Sequence, residues 1–180
     1  MSNKALFLDR DGVINHDTGY VHSVRDFKFI DGIFNLCKIA ISKRYLIIVI
    51  TNQSGIGRGL YTLNDFNHLT NWMCDEFAQN DILITKVYHS PYHPIYGLGE
   101  YKKDHYTRKP RPGMVRIATK EYSLNLSQSI LIGDKHSDIQ AGQKAGIKTN
   151  ILFNRNYVST FKNDENYHVI RDLRDAEFLL

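Results

Sequence analysis

The sequence predicts an α/β fold, a parallel sheet with helices on both faces, and three observations predict it. Short β-branched or apolar runs alternate with amphipathic stretches along the chain. Each run is short enough to be a buried strand; Asp9 follows the first directly, and Asp134 follows the fourth after Gly133. No internal repeat or low-complexity linker interrupts the rhythm.

Taken in order, Lys4 to Leu8 reads as the first strand, Tyr45 to Ile50 as the second and Ile82 to Tyr88 as the third. Ser129 to Ile132 and Lys148 to Leu152 read as the fourth and fifth. Between them Ile33, Leu36, Cys37, Ala40 and Ile41 recur at helical spacing, with Asp31 placed to cap the helix start. Thr62 and Asp65 form a capping pair ahead of a helix through Leu69, Met73 and Phe77. Pro112 opens a helix through Tyr122, and Ser137 opens another through Ala145 that Gly146 ends. Two segments stand outside this pattern, Arg10 to Ile30 and His89 to Arg111. Long ordered loops are commonly functional, and ligands of open α/β sheets sit beyond the carboxyl ends of the strands.

A length of 180 residues with 42% apolar content suffices for one domain, residues 1–180, with its own core. Cys37 and Cys74 each fall inside a helix-like apolar pattern, which predicts buried thiols rather than a bridge and suits a reducing cytoplasm. Asp9, Arg10 and Asp11 cut the first apolar run too short for a secretory signal. The longest purely apolar run, Leu46 to Ile50, is far below the roughly 18 residues of a membrane span. A soluble cytoplasmic protein with no membrane partner is expected. The absence of an extra helix or exposed apolar repeat makes a monomer the expectation. The net charge of +4 is diffuse except around Lys102, Lys103, Arg108, Lys109 and Arg111. Acids are interspersed with these bases, so no nucleic-acid partner is expected.

Four sites can carry chemistry. Asp9-Arg10-Asp11-Gly12 ends the first strand, and two acids there are costly to bury unless a cation lies close. Ile130 to Lys135 ends in Gly133-Asp134-Lys135, so Asp134 stands beside Asp9 if strands one and four are neighbours. Carboxylate oxygens that leave part of the ion's hydration in place suit Mg2+, with Asp9 and Asp134 as side-chain ligands and the carbonyls of Asp11 and Lys135 nearby. Asp138 either braces this loop or favours the first turn of its helix. Thr51 to Gly59 follows a strand with a hydroxyl and exposed N–H groups suited to phosphate oxygens. Thr107 to Gly113 delivers Lys109, a compact charge for a transferring phosphoryl group, and Arg108, which can grip a second anion bidentately. Polar turns and solvated basic loops are common, so neither of these last two sites is specific alone. Together the four supply a nucleophile, a metal ligand, a hydroxyl and a cation, a phosphoryl-transfer centre. Asp9 would attack phosphorus, while Asp11 would protonate the departing alkoxide and then take a proton from water.

These motifs, in this order, resemble the haloacid dehalogenase superfamily of aspartate-nucleophile phosphatases, over about residues 5 to 150. Phe7 to Asn15, Gly19-Tyr20-Val21-His22, Thr51 to Ile56, Arg108-Lys109-Pro110 and Gly133-Asp134-Lys135 look most like its heptose-bisphosphate phosphatase branch, to which histidinol-phosphate phosphatases are related. The resemblance implies a Rossmann-like domain without a large cap, a small-molecule sugar bisphosphate as substrate, and a place on the route to bacterial surface polysaccharide. It implies catalytic roles for Asp9, Asp11, Thr51 and Lys109. Substrate contacts are implied for Arg10, Asp17, Thr18, Gly19, Tyr20, Asn52, Gln53, Ser54 and Arg108.

The sequence departs from that branch at one place. Relatives commonly hold the loop after strand three with zinc, through a Cys-x-His pair and a Cys-x-Cys pair. Those positions here are Ser90, Tyr92, His105 and Thr107. A structural zinc site needs four good ligands, so no zinc is expected, and His89, His93 and His105 read as a polar loop. Tyr88, Tyr92, Tyr96, Tyr101 and Tyr106 offer aromatic packing as another way to order it. Other readings are a histidinol-phosphate phosphatase, a nucleic-acid 3′-phosphatase and an inactive phosphosugar-binding module. The last is weakened by the presence of every residue the chemistry requires.

Overall fold

Period-two alternation in the first strand divides the core in two. Leu6 and Leu8 enter one apolar cluster, Ala5 and Phe7 the other, and all four are fully buried. The computed structural model describes residues 3–156 and 166–180. Among them six strands form one parallel sheet: β1 (Lys4–Leu8), β2 (Tyr45–Asn52), β3 (Ile84–Ser90), β4 (Ile130–Gly133), β5 (Thr149–Phe153) and β6 (His168–Ile170). Their spatial order is β3-β2-β1-β4-β5-β6, the doubly wound arrangement. The chain steps outward from β1 to β3, then returns to the far side of β1 as β4. The crevice at the carboxyl ends of β1 and β4 is therefore the topological switch point, where such sheets bind ligands.

Helices α1 (Ile33–Ser42) and α3 (Leu63–Gln79) cover the face of Leu6 and Leu8, through Leu36, Cys37, Leu69, Met73 and Phe77. Helix α4 (Gly113–Tyr122) covers the opposite face through Met114, Val115 and Ala118, with α5 (His136–Ala145) beside it. Such buried side chains carry much of the stability, since Phe→Ala in a packed core costs about 3–5 kcal/mol. The Thr62–Asp65 pair forms a reciprocal capping box on α3, and Gly146 ends α5 in a left-handed cap. Both cysteines are free, Cys37 buried and Cys74 partly so. No helix among the described residues is long and apolar enough to cross a membrane.

Three local expectations need correction, and one strand was not anticipated. Asp31 does not cap α1; Gly32 stands at the cap and no side chain bonds there. The third strand runs Ile84–Ser90, two residues later than its apolar pattern suggests, because Ile82 is buried in the core ahead of the ladder. Ser54–Gly57, read as loop, is a one-turn helix, α2. The three-residue β6 has no alternation long enough to be read. The first long loop is pinned by aromatic contacts: Phe27 meets Trp72 edge-on at 5.4 Å and Phe29 at 5.0 Å, and Phe29 packs on Phe34 at 4.8 Å. This packing seats the end of the loop against α1 and α3.

Candidate active site

Asp9 leaves β1 at the switch point, its N–H still donating to Ile132 O on β4 at 3.0 Å. Its Oδ1 accepts from Arg10 N at 2.7 Å and from Lys109 Nζ at 2.9 Å. Lys109, buried, also donates to Ile50 O at 2.9 Å and forms an ion pair with Asp138 Oδ1 at 2.7 Å. Two reciprocal bonds with Asn52 seat its backbone on the end of β2: Lys109 N donates to Asn52 Oδ1 at 3.0 Å, and Asn52 Nδ2 to Lys109 O at 3.1 Å. Burial works against the Lys109 charge, but Asp138 and Asp9 outweigh it and hold the ammonium above its usual range. Burial pushes the Asp9 carboxyl up to about 7; Asp138 and Asp134 add to this and Lys109 opposes it. The cluster has a surplus of negative charge for a cation to neutralise.

The donor set fits a hard divalent cation. Asp9, Asp134 and Asp138 each offer a carboxylate oxygen, all within 4.8 Å of one another. Asp134 Oδ1 is buried with no hydrogen-bond partner, and such an atom is costly unless something binds it. Gly12 makes the approach possible: at φ +91° it lies where a Cβ would stand 2.3 Å from Asp134 Oδ2. Asp138 is committed elsewhere, since its Oδ1 serves Lys109 and its Oδ2 accepts from Lys135 N at 2.9 Å. That leaves Asp9 and Asp134 as the freer pair of ligands.

Asp11 is held from three sides. Arg10 reaches it with Nε at 3.2 Å and Nη2 at 2.9 Å, Asn15 Nδ2 donates at 3.0 Å, and Gln53 Nε2 donates to Oδ2 at 2.9 Å. The same Gln53 nitrogen donates to Thr51 Oγ1 at 2.8 Å. A cleft of about 520 Å3 opens over this centre, lined by Asp9, Asp11, Thr51 and Lys109, by Asp17, Gly19 and Tyr20 of the first loop, by Asn52, Gln53 and Ser54, and by Arg108 and Lys135. Lys135 Nζ pairs with Asp17 Oδ2 at 3.0 Å and closes one wall. Arg108 is anchored from behind by Tyr92 O at 2.8 Å.

Two expected substrate contacts lie elsewhere. Arg10 is 1% exposed and does not line the cleft; its guanidinium is spent on Asp11 and on Val21 O at 2.6 Å. Thr18 is exposed outside the lining. Four lining residues fall outside the set the sequence predicts: Tyr61, Pro110, Ser137 and Asp138. The sequence allows Asp138 either to brace this loop or to favour the first turn of its helix, and its place four residues past Asp134 is the signal for a part in the centre. Tyr61 carried no signal, since one tyrosine before a helix cap reads as packing.

At the loop after β3, Ser90, Tyr92, His105 and Thr107 do converge. Thr107 Oγ1 bonds His105 Nδ1 at 2.7 Å and donates to Ser90 Oγ at 3.1 Å, while Tyr92 stacks on His105 at 3.9 Å. His89 lies against Phe66, and His93 Nδ1 accepts from Ile95 N and Tyr96 N, so the three histidines do separate work.

A family model for HAD-hydrolase-like proteins matches residues 106–176. The chain is 52% identical over 152 residues to a D-glycero-alpha-D-manno-heptose-1,7-bisphosphate 7-phosphatase of Burkholderia mallei, a match covering 84% of this chain and 80% of that protein. It is 45% identical to a D-glycero-beta-D-manno-heptose-1,7-bisphosphate 7-phosphatase of Haemophilus influenzae, over 83% of this chain and 81% of the relative. Among solved structures, a D,D-heptose 1,7-bisphosphate phosphatase of B. bronchiseptica complexed with magnesium and phosphate is 26% identical. It superposes with a TM-score of 0.84 over 98% of this chain and 97% of that one.

Proposed function

From the chain's membership of the heptose-bisphosphate phosphatase family of the haloacid dehalogenase superfamily, we propose that it removes the 7-phosphate of D-glycero-D-manno-heptose 1,7-bisphosphate through an aspartyl phosphate on Asp9. The observation that carries this reading is the Lys109 ammonium bonded to Asp9 and Asp138 at the mouth of β1, in a crevice that also holds Asp134.

Both protein donors to Asp9 use Oδ1, so Oδ2 is the oxygen for attack. As Oδ2 bonds to phosphorus the ester P–O bond breaks, and Asp11 gives its proton to the departing sugar alkoxide. Water then attacks phosphorus, Asp11 takes its proton, and the bond to Asp9 breaks to release inorganic phosphate. Lys109 and the Thr51 hydroxyl stabilise charge on the phosphoryl oxygens. Asp9 and Asp134, with the carbonyls of Asp11 and Lys135, would hold Mg2+, which when bound would supply electrostatic shielding between the two anions. Arg108, Tyr20, Asp17, Gly19, Asn52 and Ser54 shape the pocket for the sugar and its second phosphate. Arg10 acts instead by holding Asp11.

The network of Ser90, Thr107, His105 and Tyr92 supports a loop ordered without zinc. The protein is read as a single cytoplasmic domain over 1–180, monomeric, without nucleic-acid or membrane partners.

The test is phosphate release from both anomers of the heptose bisphosphate, fructose bisphosphate, histidinol phosphate and a 3′-phosphorylated oligonucleotide, with and without Mg2+. Preference for a heptose bisphosphate, dependent on Mg2+, is expected. Faster turnover of histidinol phosphate or the oligonucleotide would overturn the assignment.

A further inference from the structure

Tyr61 lies outside every motif that suggested chemistry, yet it lines the cleft and is 7% exposed. Its ring lies flat against His22, centroids 5.1 Å apart, and Gly55 makes room on another side: a Cβ there would stand 2.1 Å from Tyr61 Cε1. The hydroxyl donates to Gln53 Oε1, and Gln53 Nε2 donates in turn to Asp11 Oδ2 and to Thr51 Oγ1. Gln53 is buried and its backbone N–H is tied to Ser90 O at 2.8 Å, and within these contacts the sense of the amide decides which end faces which partner.

We propose that Tyr61 is a positioning residue for phosphoryl transfer, setting the sense of the Gln53 amide and through it the donor direction of Thr51. This inference rests on the phosphoryl-transfer reading above. With Oε1 engaged by the phenol, both amide hydrogens point at Asp11 and Thr51. Thr51 Oγ1 then receives a hydrogen bond from Gln53, and its own O–H is left to donate into the cleft, toward a phosphoryl oxygen. In the reversed amide, Oε1 would face the Asp11 carboxylate and draw the Thr51 hydrogen to itself. The phosphoryl group would lose a donor, and Asp11 would lose one of the bonds that hold it.

Tyr61→Phe in the full chain keeps the ring and its packing and removes only the hydroxyl. It is expected to lower kcat for the phosphate ester about tenfold, the size of one lost directional hydrogen bond, with KM and half-saturating Mg2+ within about twofold of wild type. Orthovanadate, which adopts the five-coordinate geometry of the transferring group, should inhibit about tenfold less tightly. Gln53→Ala should cost at least as much, and Gln53→Ala/Tyr61→Phe no more than Gln53→Ala alone, because Tyr61 acts through Gln53. Wild-type kcat and vanadate inhibition in Tyr61→Phe would overturn the proposal. So would losses that multiply in the double variant. A wild-type chain without Mg2+-dependent turnover of any phosphate ester would instead remove the phosphoryl-transfer reading and this relay with it.

Discussion

Asp138→Asn is nearly isosteric, and its consequences follow from two distances. The carboxylate meets Lys109 Nζ at 2.7 Å through Oδ1 and Lys135 N at 2.9 Å through Oδ2. An asparagine has one acceptor oxygen, so whichever way the amide turns, one of those donors faces an NH2 group. Removing one partner of a buried ion pair costs about 3–5 kcal/mol, and relief of repulsion between Asp138 and Asp9 returns part of it. A net loss of roughly 3 kcal/mol lowers Tm by about 6–12 °C in a domain of this size. Lys109 keeps Asp9 and Ile50 O but loses the contact that holds it from the α5 side, and kcat should fall about 100-fold, as when one charge-stabilising donor is removed. Thermal unfolding and initial rates at saturating Mg2+ measure the two effects. A variant with both wild-type Tm and wild-type kcat would refute the reasoning that Asp138 holds the lysine in place.

Gly12→Ala forces a Cβ against Asp134 at a left-handed φ; half-saturating Mg2+ should rise at least about tenfold, read by metal titration of activity. Thr107→Val removes the hydroxyl that joins His105 to Ser90 and should lower stability by about 1 kcal/mol, while zinc stays well below one equivalent in purified wild-type protein by elemental analysis. Burial pushes the Cys37 thiol from 9.0 up to about 12, so between those values the unfolded chain releases a proton that the folded chain keeps. Stability is therefore lost as pH rises from 9.0 toward 12, and urea midpoints should fall less steeply over that range in Cys37→Ala than in wild type.

The parallel sheet and the location of the site were legible because their signals are local. An apolar run ending in Asp9, another ending in Asp134, and a polar glycine-rich turn after Ile50 each declare a strand end, and adjacency of β1 and β4 brings the two acids together. The destination of Arg10 was not legible, because its place is decided by Val21 O and the Asp11 carboxylate, contacts made by the fold of the first loop. The cap of α1 was not legible either, because the chain enters the helix through a left-handed Gly32 and no side chain bonds at the cap. Tyr61 gains its significance only when Gly55 and His22 bring its ring beside Gln53. Local pattern therefore locates the acids, and tertiary packing decides which side chains hold them in place.

Borohydride quenching during turnover tests the central claim most directly, because hydride reduces an aspartyl phosphate to homoserine and leaves a free carboxylate untouched. Peptide mass spectrometry of wild-type protein quenched with Mg2+ and heptose bisphosphate should find homoserine at position 9 alone, and none without substrate. Active enzyme that yields no homoserine at position 9, or an Asp9→Asn variant with wild-type turnover, would contradict Asp9 as the nucleophile.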